Sequence, residues 1–392
     1  MINKKFKSAL RLLVGGTALV ALCAPAHARD GVKTGGDGLT LTAADGAFEL
    51  TLGGRLHLDA LAYDGDASDF QDADVRRARI ELSGKIADII RFRIDREFAG
   101  NDGWRNVWAS VRPIDELEIT AGNFTVPFAM EDMQSSNRIP LMERSLTNAL
   151  APGFSLGAGF EYSRRHWTLA AGYFSDPLDN EDDQSDERGQ GFAGRATLAP
   201  INRSGKLVHI GAAIERRSFG DGDIARFQTN PGSALAPTLL GTGGIADPED
   251  LTNLGGEVAL SRGPVLLQGQ YIATELTRTA NPTLNFDGWY VQAAWLVTGG
   301  RYGYSRRSGV VTGADLRRGK GAFELAARYS TLDLDDDGFA RGHGRSITLG
   351  ANWYVNENVR LMANYVRSEA QDVGGQPDRE GNLVAGRFQV SF

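Results

Sequence analysis

Cysteine is all but absent from this chain. Cys23 stands alone among 392 residues, which excludes an internal disulfide framework and any metal site built on several cysteines. Long apolar runs are missing too. The one conspicuous run, Leu12 to Ala24, covers about 13 residues, short of the roughly 18 that a membrane helix needs. Basic charge is not in excess: 42 Lys and Arg face 49 Asp and Glu, which argues against a general nucleic-acid binder. Histidine numbers only five, and His166, His209 and His343 show no metal-ligand spacing. The glycine pairs Gly53-Gly54 and Gly255-Gly256 lie in strand-like segments with no helix to cradle a phosphate. No serine and histidine can be assigned as an outward-facing pair with an orienting partner. The expectation is therefore a protein without catalytic residues, metal or cofactor.

The N-terminus reads as an export signal. Lys4, Lys5, Lys7 and Arg11 precede the short apolar run, and Ala26-His27-Ala28 offers a small-x-small cleavage site. A lipoprotein signal at Cys23 is disfavoured by the bulky Leu22 before it. Residues 1–28 are thus read as a signal peptide, 29–47 as a short flexible segment, and 48–392 as the folded unit. Cleavage removes the sole cysteine, four cations and no acids, so the net charge falls from −7 to −7 − 4 = −11. An exported chain without membrane helices is either soluble or inserted as a closed barrel, because only helices and barrels satisfy their backbone in lipid.

What the chain has is alternation with period 2, the spacing that sends successive side chains to opposite faces of a strand. Phe48, Leu50, Leu52, Leu56, Leu58, Ala60 and Ala62 alternate with Glu49, Thr51, Arg55, His57, Asp59 and Tyr63. Ala78, Ile80, Leu82 and Ile86 oppose Arg77, Arg79, Glu81, Ser83 and Lys85; Ile90, Phe92, Ile94 and Phe98 oppose Arg91, Arg93, Asp95 and Glu97. One apolar face and one face of mixed charge is the pattern of a transmembrane barrel. Aromatics suited to the bilayer interfaces recur at Tyr162, Trp167, Tyr173, Trp289, Trp295, Trp353, Tyr354 and Tyr365.

Seventeen such segments can be drawn, but single-chain bacterial barrels use even numbers. The shortest, 224–230, ends at Pro231 and is assigned to a loop, leaving sixteen. With the N-terminus in the periplasm, the connections alternate. Short ones fall at Ala87-Asp88, Pro113–Asp115, Arg165-His166, Pro200–Gly205, Arg262–Pro264 and Asn356–Asn358. Long ones fall at 64–74, 124–154, 175–189, 218–249, 276–285, 333–342 and 369–381. The exception is 298–321, long yet on the short-turn side. The fold class expected is all-β: a 16-stranded antiparallel transmembrane β-barrel.

Three blocks give the chain a family resemblance. The first is Gly122-Asn123-Phe124-Thr125-Val126-Pro127-Phe128, with Ser135-Ser136-Asn137 and Met142-Glu143-Arg144-Ser145-Leu146 after it. The second is Gly288 to Trp295 with Thr298-Gly299 and Arg306-Arg307-Ser308-Gly309; the third is Phe323 to Ser330 closing on Leu332-Asp333-Leu334. In these blocks the chain resembles the phosphate-selective porin O and P family over roughly residues 48 to 392. The resemblance implies a homotrimer of sixteen-stranded barrels in the bacterial outer membrane. It also implies a pore narrowed by inward-folded loops, here 124–154, 218–249 and the periplasmic turn 298–321. Thr125 and Asn137 stand where many relatives carry lysine.

A pore selects by width and by the charges at its narrowest ring. The candidates are strand residues Arg77, Arg79, Arg91 and Arg93, loop residues Arg138 and Arg144, and turn residues Arg306 and Arg307, with Arg55, Arg317 and Arg318 as further basic positions. Arginine suits phosphate because its planar fork can donate two parallel hydrogen bonds. The plainer role for strand arginines is bracing the wall against Glu81, Asp95 and Glu97. The acidic stretch Asp176 to Glu187 reads as a solvated loop, with divalent cations and lipopolysaccharide as the sharper alternative. The expected function is passive diffusion of small hydrophilic solutes, anions such as phosphate among them. The competing reading is a non-conducting surface adhesin or structural barrel. Expected partners are outer-membrane lipid and lipopolysaccharide, the barrel-assembly machinery acting on the last strand that ends at Phe392, and further copies of the chain.

Overall fold

The computed structural model describes residues 31–392 apart from 36–37, 44–45, 67–68, 101, 179–187, 317–320 and 375–376. The signal-peptide segment 1–28, most of the acidic stretch before Glu187, and Arg317 and Arg318 lie outside the described residues.

Sixteen strands form one antiparallel barrel: β1 (Phe48–Gly65), β2 (Phe70–Ile86), β3 (Ile90–Glu97), β4 (Gly103–Ile114), β5 (Leu117–Thr125), β6 (Phe154–Ser163), β7 (Trp167–Phe174) and β8 (Gln190–Arg203). Then follow β9 (Lys206–Ser218), β10 (Pro248–Arg262), β11 (Val265–Arg278), β12 (Leu284–Leu296), β13 (Ala322–Asp333), β14 (His343–Tyr354), β15 (Val359–Gln371) and β16 (Arg379–Ser391). Each strand pairs with its sequence neighbour, and β16 returns to β1 in register from Gly381↔Gly65 to Ser391↔Arg55. Closure pairs each strand on both sides over its central length, so the ladders there are satisfied internally, as lipid requires.

The alternation sorts inside from outside. On β12, Val291 is 50% exposed while its neighbours Tyr290 and Gln292 are 2% and 3% exposed. The outer surface is a band of aliphatic side chains with Trp167, Trp289, Trp295, Trp353 and Tyr365 exposed among them. Tyr354 is an exception to the interface expectation. It faces inward and donates to Glu324 at 2.8 Å, because its inward neighbours are polar and can take its hydroxyl.

Turn chemistry divides the two ends. Ala87 and Asp88 both have positive φ (51° and 57°), and Ile89 N donates to Ile86 O at 3.1 Å, a tight hairpin turn of the kind that matches strand twist. Ser204-Gly205 and Gly263-Pro264 are equally short. Residues 224–230 do lie in a loop: Ile224–Ala225 pairs only with Ile245–Ala246, and Gln228–Thr229 with Leu240–Gly241. The segment 29–47, expected to be flexible, instead holds a hairpin, Gly31–Gly35 against Gly38–Ala43. Its second strand pairs with Phe48–Leu52 of β1, which β16 is too short to reach. That free length of β1 supplies the edge the hairpin occupies.

The bore is filled on one side. Val126, Phe128, Leu146 and Leu150 of the third external loop pack with Phe227, Leu239, Leu240 and Ile245 of the fifth. Both rest on inward residues of the wall: Phe174, Ile272, Phe286 and Leu332. Fully burying each such side chain stabilises by roughly 1.5–3 kcal/mol, so these loops are core and not cover. Gly350 on β14 makes room for this. A Cβ there would come within 2.5 Å of the Leu141 side chain. The anomalous turn 298–321 also folds inward, as a hairpin of Arg301–Ser305 against Val310–Asp315.

Candidate pore constriction

The third loop leaves β5 after Thr125, makes one helical turn at Met130–Met133, and crosses the lumen to a 3-10 turn at Leu146–Leu150 before β6. Its main chain would be stranded in the bore without partners, and the wall supplies them. Arg360 donates to Ile139 O at 3.0 Å, Asn352 to Pro140 O at 2.7 Å, Gln389 to Asn137 O at 3.1 Å and Arg387 to Met142 O at 2.6 Å. Arg328 donates to the carbonyls of Glu143 and Arg144, both at 3.0 Å, and to the Glu131 carboxylate at 3.1 Å. That carboxylate also accepts from Ser145 N and Ser145 Oγ.

Glu143 is the loop's strongest tie. Arg76 grips it with two nitrogens at 2.9 and 3.0 Å, and Arg387 adds a third bond at 2.7 Å. Burial by itself would raise this carboxyl, but Arg76, Arg387 and Arg77 outweigh it and hold Glu143 well below the usual carboxylate range. Arg76 reaches the loop because of a bulge. His57 pairs with Arg77 and Leu58 with Val75, so Arg76 is the extra residue and both arginines serve the lumen.

Opposite the loop stands the β1–β3 wall. Arg55 hydrogen-bonds Glu81 at 2.6 Å and Ser136 Oγ at 2.9 Å, joining wall to loop. Arg79 meets Glu97 at 3.2 Å, and Arg93 meets Asp95 at 2.8 Å and Glu81 at 2.7 Å. Nε of Arg77 is buried without a hydrogen-bond partner.

Wall, loop and periplasmic hairpin enclose a cavity of about 880 Å³. Arg55, Arg77, Arg79, Arg93, Arg138, Arg144 and Arg360 line it against the carboxylates Glu81, Asp132, Asp315 and Glu357, seven cations to four anions. The turn Asn356–Asn358 lies at its periplasmic end. The hairpin is held in place from several strands. Tyr302 donates to Glu324 at 2.7 Å, His209 bridges Tyr304 Oη at 2.8 Å and Glu257 at 2.9 Å, and Arg195 donates to the carbonyls of Ser308 and Gly309 at 2.8 and 2.7 Å.

The structure brings Arg77, Arg79, Arg93, Arg138 and Arg144 onto this cavity. Arg144 is committed there: it donates to the carbonyls of Glu131, Asp132 and Gln134 at 2.9, 2.9 and 3.1 Å, which fixes the helical turn. Three candidates do not line it. Arg307 donates to Asp115 O at 2.7 Å and pairs with Glu118 at 3.3 Å. Arg91 belongs to the same group around Glu118 and Arg112, and Arg306 is exposed, its carbonyl accepting from Thr168. Arg76, Arg195, Arg328, Arg360 and Arg387 were not singled out from sequence. All but Arg76 occupy polar positions in alternating strands, the same signal that marked Arg77 and Arg79. On the external side, ligand atoms of Asp333, Asp335 and His343 come within 4.8 Å of one another, a proximity that spacing along the chain does not reveal.

The family profile described as phosphate-selective porin O and P matches residues 50–392. The chain belongs to this family. Porin O of Pseudomonas aeruginosa is 25% identical over 98% of both chains. Among solved structures, the anion-selective porin from Comamonas acidovorans matches at TM-score 0.56 and 14% identity, over 88% of this chain and all of the other. The outer membrane channel DcaP of Acinetobacter baumannii matches at TM-score 0.56 and 12% identity, over 89% of this chain and 99% of the other. A trimer form of OmpT of Vibrio cholerae matches at TM-score 0.52 and 13% identity, over 88% of this chain and 99% of the other. Family and fold together make this porin an outer-membrane channel rather than an enzyme.

Proposed function

We propose that this porin is a passive channel that prefers small hydrophilic anions, phosphate among them. The observation that carries the reading is the cavity lining, seven arginines to four carboxylates at the folded loop. Such an excess in a confined aqueous path concentrates anions and repels cations. The family description and the anion selectivity of the Comamonas relative support it. Asn137 and Thr125, both on the cavity, offer an amide and a hydroxyl rather than ammonium groups, so selection here rests on the arginines. Export through residues 1–28, assembly through the strand ending at Phe392, and a homotrimer complete the proposal.

Purified protein in planar bilayers under a KCl gradient tests it. The expected result is stepwise conductance with a reversal potential on the anion side, and chloride current reduced by added phosphate. Silence from intact protein would favour the non-conducting adhesin, and a cation-side reversal potential would sink the anion preference.

A further inference from the structure

On the periplasmic rim, three basic residues stand side by side where strand pairing would normally avoid it. Arg203 at the end of β8 pairs in register with Lys206 of β9, and Lys206 pairs with Arg262 of β10. All three are exposed and alternate with buried neighbours such as Leu207 and Ser261, so they point away from the lumen. No acid pairs with any of them among the described residues. The acid on the adjoining turn hairpin, Asp315, is taken by Arg301, which also bonds Ser204. Like charges directly opposite on neighbouring strands are destabilising. Three in a row favour an anion from outside the chain.

The surroundings say which anion. The barrel face just above the row is aliphatic, with Ile201, Leu260 and Leu267 all exposed. Exposed tryptophans flank it near the periplasmic ends of β7 and β12, at Trp167 and Trp295. Indole rings favour the headgroup level of a bilayer, and long cationic side chains reach from an apolar surface toward phosphates. An apolar wall for acyl chains beneath a row of cations fits one molecule with both parts.

We propose that Arg203, Lys206 and Arg262 form a docking site for the phosphate headgroup of an anionic phospholipid in the periplasmic leaflet. The row lies outside the pore, so it acts on anchoring and depth in the membrane and not on conduction.

Native mass spectrometry of the full-length protein, delipidated and titrated with phosphatidylglycerol or phosphatidylcholine, tests this. The wild type should retain phosphatidylglycerol over phosphatidylcholine, and less of it as ionic strength rises. In the triple variant Arg203→Gln, Lys206→Gln, Arg262→Gln, phosphatidylglycerol retention should fall roughly tenfold or more, with phosphatidylcholine retention and single-channel conductance unchanged. Arg216→Gln at the opposite rim, whose partner is Asp250, should match the wild type. Equal phosphatidylglycerol retention by triple variant and wild type would overturn the proposal. So would binding of soluble acidic peptidoglycan fragments in preference to the lipid, which would assign the row to the cell wall.

Discussion

Arg387 and Asp59 face each other across the seam that closes the barrel, two guanidinium nitrogens on two carboxylate oxygens, each at 2.7 Å. The same guanidinium reaches Met142 O and the Glu143 carboxylate in the third loop. The bond that closes the cylinder and the bond that sets its constriction therefore share one buried side chain.

Replacing Arg387 with alanine should weaken both at once. Asp59 would lose its bidentate partner in a buried site, a break that costs about 3–5 kcal/mol. Arg360→Ala removes a loop strap and a bond to Gln389 of β16 but no ion pair of the seam, so its loss should be smaller. Thermal unfolding of the purified porin, followed by the heat-dependent shift in gel mobility, should rank the two in that order.

Glu143 gives the constriction a definite acid limit. A carboxylate whose folded pKa is depressed contributes stability above its unfolded value, near 4.5 for this group, and loses it as pH falls through the folded value. Because Arg76, Arg387 and Arg77 hold Glu143 well down, open-channel noise should stay constant from neutral pH through the ordinary carboxylate range and rise only below it. Glu143→Gln should be noisy at neutral pH and no noisier in acid. Single-channel recordings across that pH series decide the matter.

The cavity arginines should differ in what they control. Arg77 lines the cavity and has a nitrogen without a partner, so Arg77→Ala should shift the reversal potential toward the cation side. Arg307 is tied to Asp115 and Glu118 away from the cavity, and Arg307→Ala should leave that potential nearly unchanged. Equal shifts would remove the assignment of selectivity to the cavity wall.

Arg144 is a different case, since three main-chain carbonyls already occupy it. Arg144→Ala should raise current noise more than it moves the reversal potential. Arg144→Lys should not restore quiet conduction, because an ammonium lacks the planar fork that meets carbonyls from several directions.

The difference between these residues bears on what the sequence could reveal. Strand number and closure were legible because period-2 alternation and turn lengths are local properties, whereas the inward folding of the long loops came from the family resemblance. Arg77 and Arg79 were legible as lumen residues for the same reason. Arg76 was not, because a one-residue bulge breaks the alternation at that point. The strapping roles of Arg328, Arg360 and Arg387 depend on contacts between residues far apart in the chain, such as Arg360 with Ile139. Nothing in the spacing of either partner announces them. The hairpin at 31–43 was missed because its strands are only five and six residues long, and the first carries a single large apolar side chain, Val32.

The periplasmic hairpin should prove to be a fixed wall of the pore, and two glycines can show it. Gly313 has φ +86°, and a Cβ there would come 2.6 Å from Arg138 O and 2.7 Å from Arg138 Cβ. Gly299 has φ +84°, with nothing within 4 Å of the same added atom. Alanine at either position bears the same left-handed backbone cost, about 1–2 kcal/mol, but only Gly313→Ala collides with the third loop. The loop is strapped by Arg328, Arg360 and Arg387, so the hairpin is the part that must give. Gly313→Ala should therefore increase single-channel conductance and expose the hairpin to protease from the periplasmic side, while Gly299→Ala leaves both close to wild type. If the two variants behave alike, backbone strain rather than contact with Arg138 sets the hairpin, and its place as a wall of the constriction fails.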